Sequence, residues 1–161
     1  MQVTANGNVA VQSAPINNAS GLRAWLNDTF LNKAFSAEER AMIAATNVSA
    51  DKNPNYNTDP GNATEDKIFL LSIDEVNRYF SSDKERQCAP TAYAKAQGAY
   101  TNLDYKTASG EAAFLWWLRS PGSNQFSAAA VFDDGSVYYR GGNVNSDNYA
   151  VRPALWINLE S

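Results

Sequence analysis

Apolar residues recur at helical spacing early in the chain and in β-type runs toward its end. In SGLRAWLNDTFLNKAF (residues 20–35), Leu22, Trp25, Leu26, Phe30 and Ala34 share one side of a 3.6-residue period. This predicts a helix with Ser20 as its N-cap. SAEERAMIAAT follows, with Ser36 three residues before Glu39, the spacing of a capping box. Ala41, Met42 and Ala45 are expected to give this second helix a short apolar face. Residues 1–19 carry no clear period and read as an extension or an edge strand.

The pattern then breaks. Residues 47–66 are rich in Asn, Asp and Pro and predict a long polar loop of the functional or mobile kind. KIFLLS (67–72) reads as a buried strand, and Ser72 with Glu75 forms a second capping box that opens the helix IDEVNRYF. One more helical turn is expected near Ala92–Gln97. AAFLWWLRS is strand-like and stops at Pro121-Gly122. In AAAVFDDGSVYYR, Asp134-Gly135 between two β-rich runs predicts a hairpin. AVRPALWINL reads as a last strand, with Pro153 marking a bulge or an edge. Helices first and strands afterwards predict the α+β class, with a small twisted antiparallel sheet and long loops.

Composition narrows the chemistry. The 161 residues are 44% apolar and 19% charged, which suits one globular domain. A net charge of −4 argues against nucleic acid and against anionic membranes as partners. No apolar run approaches the ~18 residues that span a membrane, so no membrane insertion is expected. The first fifteen residues have neither a basic start nor an apolar stretch, so no signal peptide is expected. Sequons at Asn18, Asn27, Asn47 and Asn62 are read as chance matches in an Asn-rich chain.

The chain contains no histidine and a single cysteine, Cys88. A His-based triad, a His metal site and an internal disulfide are therefore excluded, and Cys88 is expected to be inert. The adjacent carboxylates Glu38-Glu39, Glu65-Asp66 and Asp133-Asp134 fit turns and solvated faces better than acid–base pairs. No enzyme, metal or cofactor is expected. Arg119 and Arg152 lie inside apolar segments and are expected to satisfy loop carbonyls or an acid rather than to grip a ligand.

Residues 123–149 differ from all of this. Phe126, Phe132, Tyr138, Tyr139, Arg140 and Tyr149 stand among Asn143, Asn145, Asp147 and Asn148 and further small polar residues. Tyrosine with Asn, Ser, Gly and an occasional Arg is the composition of adaptable recognition loops. These ten residues are the candidate ligand-facing set. Alternation along the hairpin should turn about half of Phe132–Arg140 inward.

The segments RAWLNDTF…AFSAEERAMI, DKIFLLSIDEVNRYF, CAPTAYAKAQGAYT and WWLRSPG…DGSV…VRPALWINL closely resemble a bacterial and phage family of unknown function. That family is similar to the C-type-lectin-like fold and to variable proteins diversified by retroelements. The resemblance implies a single C-type-lectin-like domain over residues 20–161 with a variable region at 123–149. WWLRSPG and VRPALWINL would be fixed framework, with Trp116, Trp117 and Trp156 as packed anchors. Adenine-directed variation of Asn codons ending in a pyrimidine cannot produce Lys, Gln, Glu, Met or Trp, and residues 126–151 contain none of the five. Gln125 would then be a fixed position. The implied function is non-enzymatic binding of a protein or glycan through a diversified surface; the alternative is a fixed-sequence surface accessory or carbohydrate-binding domain. The Glu-Pro-Asn and Gln-Pro-Asp triplets of calcium-dependent lectins do not occur, and lone Cys88 does not match the cysteines of formylglycine-generating enzymes.

Overall fold

The computed structural model describes residues 21–96, 101–146 and 148–158, together with a short pair formed by β1 (Gln2–Val3) and β2 (Val9–Ala10). Ser20, expected as a cap, and Gln97 lie outside the described residues.

At the centre is an antiparallel sheet of three strands, β7 (Trp116–Pro121), β8 (Ser127–Val131) and β9 (Val137–Asn143), in that spatial order. Trp117 lies opposite Ala130, and Ala130 opposite Tyr138. Successive side chains leave a strand on opposite faces, and both faces here are covered. One face, with Trp117, Ala128 and Ala130, packs against Leu22, Leu26, Leu31, Ile43, Ile68 and Leu70. The other, with Trp116, Leu118, Ala129 and Val131, packs against Ile73, Val76, Phe114 and Ala150. A strand buried on both sides has no polar alternation, which is why AAAV reads as a continuous small apolar run.

The predicted N-terminal helix forms as α1 (Gly21–Trp25), a π-helical turn (Leu26–Phe30) and α2 (Leu31–Ala34). Asn27 in the wide turn acts as a clamp. Its side-chain oxygen accepts from the amides of Lys67 and Ile68, at 2.8 and 3.0 Å, and its nitrogen donates to the Ile68 carbonyl at 2.8 Å. Both capping boxes are present, at α3 (Ala37–Met42) and, after Ser72, at the seven-residue α4 (Ile73–Tyr79). The expected apolar face of α3 is corrected: none of its residues is buried, and Met42 is exposed. A six-residue helix closed by its cap does not need a packed face, and the burial falls to Ile43 just beyond it.

The long polar loop is shorter and firmer than its composition suggests. Its ends pair as β3 (Thr46–Val48) and β4 (Thr64–Asp66). Between them Asn53, 3% exposed, donates to the carbonyls of Pro121 and Tyr139 at 2.8 and 2.7 Å. Thr58 donates to the Gly122 carbonyl at 2.8 Å. The loop is thus fastened to the end of β7 and to the body of β9, since buried backbone carbonyls require partners.

Two short helices follow, α5 (Asp83–Arg86) and α6 (Ala92–Ala96), then β5 (Asn102–Lys106) paired with β6 (Ala112–Ala113). The Asp134-Gly135 turn joins β8 to β9 as expected, with Asp134 accepting from the Ser136 amide at 2.8 Å. Gly135 has φ +89°, and a Cβ there would lie 1.8 Å from the Asp83 carbonyl. Only glycine lets α5 close on this turn. Arg86 and Gln87 complete the dock by donating to the carbonyls of Gly135 and Asp133.

The expected last strand is instead a strap of single bridges, Trp116 to Ala150, Phe69 to Ala154 and Ile43 to Ile157. Pro153 has no amide proton and interrupts any continuous ladder. KIFLLS is buried as expected from Ile68 to Leu70, but it too joins the strap only through Phe69. Trp156 is not a packed anchor: it is 48% exposed and meets Tyr79 edge-on, with ring centroids 6.3 Å apart. No helix among the described residues is long and apolar enough to cross a membrane.

Candidate functional site

At one end of the sheet three loops meet. The loop after β7 is shaped by Asn124, whose side-chain oxygen accepts from the Phe126 amide at 2.8 Å and the Ser127 hydroxyl at 3.0 Å. This Asx turn holds Phe126 outward, 68% exposed. The Phe126 carbonyl accepts from the Val144 amide at 3.0 Å, which ties the loop to the turn after β9. In that turn Asn143 accepts from the Asn145 amide at 3.1 Å, while Val144 is buried beneath. The third loop arrives through Thr58 and through Gln125, which donates to the Asp59 carbonyl at 3.3 Å. Asn143 and Asn145 are exposed on this end, and Asn148 is exposed in the segment that follows.

Arg140 is exposed at the middle of β9. Its carbonyl accepts from the Ser123 amide at 2.8 Å, and a Cβ on Gly122 would sit 2.4 Å from that same carbonyl. The glycine therefore lets the β7 loop lie against β9 directly beside Arg140. Gly141, at φ +78°, forms a bulge where β9 has more residues than β8 opposite it.

The remaining candidates divide. Tyr138 stands on the Trp117 side of the sheet and stacks on Phe132, with centroids 4.5 Å apart and an interplanar angle of 21°. Both rings are half-buried. Tyr139 points the other way, packs with the Ile73–Val76 cluster, and its hydroxyl accepts from the Asn77 side-chain Nδ2 at 3.3 Å. It does not share a surface with Arg140. Tyr149 is not ligand-facing. It is 8% exposed and lies flat on Trp117, with centroids 4.0 Å apart. Its hydroxyl is pushed above its ordinary pKa, chiefly by burial and secondarily by Tyr138 nearby. The misassignment has a physical cause: Tyr149 lies outside any strand, so no alternation marks its direction. Asp147 lies outside the described residues.

Arg119 and Arg152 take the structural roles expected of them. Arg119 donates to the Leu70 and Ser49 carbonyls and pairs with Glu75 and Asp51. Arg152 lies over the rings of Trp116 and Phe80, at 4.8 and 5.0 Å, and donates to the Arg86 carbonyl. Burial pushes the Cys88 thiol up to about 11. The loop carboxylates Asp51 and Asp66 are held by Arg119 and Arg23. Among the described residues no group of three or more His, Cys, Asp or Glu could hold a metal ion. A separate cleft of about 60 Å³ lies between α1, β3 and Arg119. Its rim charges are paired with each other, and its size suits a few water molecules.

Of the candidates within the described residues, one aromatic ring, one guanidinium and three primary amides are left exposed. Such a set can stack on a ligand and hydrogen-bond to it. Asn53 and Thr58, which brace the rim, were not foreseen. They sit in a stretch rich in similar polar residues, and nothing local distinguishes them.

The fold defines an α+β domain with two covered sheet faces and a loop-built rim. The chain belongs to the family described as Domain of unknown function (DUF6273), which it matches over residues 8–159. No curated protein and no solved structure matches it.

Proposed function

We propose that the chain is a non-enzymatic binding domain of the C-type-lectin-like class, and that its contact surface is built from the exposed residues Phe126, Arg140, Asn143, Asn145 and Asn148. One observation carries the reading. The exposed residues of this region contribute little to either core, while the backbone beneath them is fastened by Asn53, Thr58, Asn124 and Val144. A rim so held can change its side chains without losing its shape. The absence of Lys, Gln, Glu, Met and Trp from residues 126–151 supports the further view that these positions are rewritten in the manner of retroelement-diversified proteins.

The ligand is a protein or a glycan. The test is a screen of glycan and protein arrays with the wild-type chain and with the Phe126→Ala/Arg140→Ala double variant. We expect a hit that the double variant loses while its melting temperature stays within a few degrees of wild type. A hit retained in full by the double variant would place the contact surface elsewhere.

A further inference from the structure

We propose that the loop between β3 and β4 supplies a second half of the contact surface, and that the partner is a protein presenting a basic side chain to Asp59 and an acidic one to Arg140. The proposal rests on the binding reading of Phe126 and Arg140 and names the partner class of that site. The loop lies against the segment after β7 through several bonds. Asn53 donates to the Pro121 and Tyr139 carbonyls, Thr58 to the Gly122 carbonyl, and Gln125 to the Asp59 carbonyl. These bonds sort the loop residues. Asn53, Thr58 and Pro60 are buried, whereas Asn55, Asn57 and Asp59 between them are exposed. A loop pinned at such short intervals holds its outward side chains in place, so ordering them on binding costs little. Asp59 is also joined by one hydrogen bond to the residue that precedes Phe126.

Charge selects the partner. The segment after β7 is bonded to Asp59 through Gln125 and to the Arg140 carbonyl through the Ser123 amide. One carboxylate and one guanidinium thus attach to the same short segment. Neither forms an ion pair among the described residues. Oδ1 of Asp59 accepts from the Gly61 amide at 2.9 Å, and its second oxygen faces a ligand unengaged by the described residues. A partner that covers this face desolvates both charges, which is costly unless each meets its opposite. A neutral glycan brings no charge to either. A protein surface carrying one base and one acid satisfies both. Shape points the same way. Neither the cleft beneath α1 nor the groove beside Lys67 is lined by Asn57, Asp59, Phe126 or Arg140. Small ligands seek concave sites, whereas protein partners take broad surfaces.

Protein and glycan arrays probed with the full chain and its variants test this. The wild type is expected to bind a protein, with affinity falling at least about tenfold between low and high salt. Asp59→Asn keeps the acceptor for the Gly61 amide and removes the charge, and should weaken binding severalfold. Asp59→Lys should weaken it at least about tenfold, because attraction becomes repulsion. Asn57→Ala should weaken it by a smaller factor. Circular dichroism establishes that each variant is folded. A protein hit lost by the Phe126→Ala/Arg140→Ala double variant but kept in full by both Asp59 variants overturns the role of the loop and leaves the reading of Phe126 and Arg140 standing. A hit kept by every variant overturns both. Binding that ignores salt, glycans as the only hits, or no protein bound at all overturns the partner class.

Discussion

Tyr149 lies flat on Trp117, ring centroid to ring centroid at 4.0 Å with the planes 19° apart, and this contact separates framework from rim. The two residues are distant in sequence, yet the stack closes one face of the sheet over Ala128 and Ala130. Tyr149→Ala should cost about 3–5 kcal/mol, the loss expected for a large buried aromatic. Urea unfolding measures it. A loss below about 1 kcal/mol would show that the ring is not part of the core.

Gly142 makes room for that ring. A Cβ there would lie 2.7 Å from the Tyr149 hydroxyl oxygen and 2.8 Å from its ring carbon. Gly142→Ala is therefore expected to destabilise by about 1–3 kcal/mol through overpacking. Combined with Tyr149→Ala it should add almost nothing, and a double-mutant cycle reads this non-additivity.

Arg119 joins α4, the segment after β3 and the carbonyl of Leu70 through a nearly buried guanidinium. Arg119→Met leaves Glu75 partly buried without its cation and should cost about 3 kcal/mol. If urea unfolding of the variant matched wild type, the network would be an ornament of the surface.

Cys88 should be inert to alkylation at neutral pH and should make the fold alkali-sensitive. Its thiol rises from 9.0 to about 11 on folding, because burial disfavours the thiolate. The unfolded chain therefore releases this proton first. The contribution is complete below pH 9 and is lost as pH climbs toward 11. The loss amounts to about 2–3 kcal/mol over that interval. Tyr149, displaced in the same direction, steepens the decline beyond its ordinary value. Stability measured against pH for wild type and Cys88→Ala should diverge in this window and nowhere below it.

Much of the framework was legible because its signals are local. Ser36 with Glu39, Ser72 with Glu75, and Asp134-Gly135 each act within a few residues, and each forms as spacing predicts. The rim was legible only as a composition. Which aromatic faces outward depends on covers that come from elsewhere in the chain. Tyr139 and Tyr138 are neighbours, yet one packs toward α4 and the other toward the Trp117 face. Tyr149 and Trp156 lie in segments without a period, so their burial and exposure were set by packing alone. Asn53 looked like any other loop asparagine until the carbonyls of Pro121 and Tyr139 were brought to it.

Sequencing codons 117–151 across a population of closely related genes tests the division between framework and rim most directly. We predict substitutions concentrated at Phe126, Arg140, Asn143, Asn145 and Asn148, with Trp117, Ala128, Gly142 and Tyr149 unchanged. Substitutions at Tyr149 and Gly142 as frequent as those at Asn145 would contradict the account.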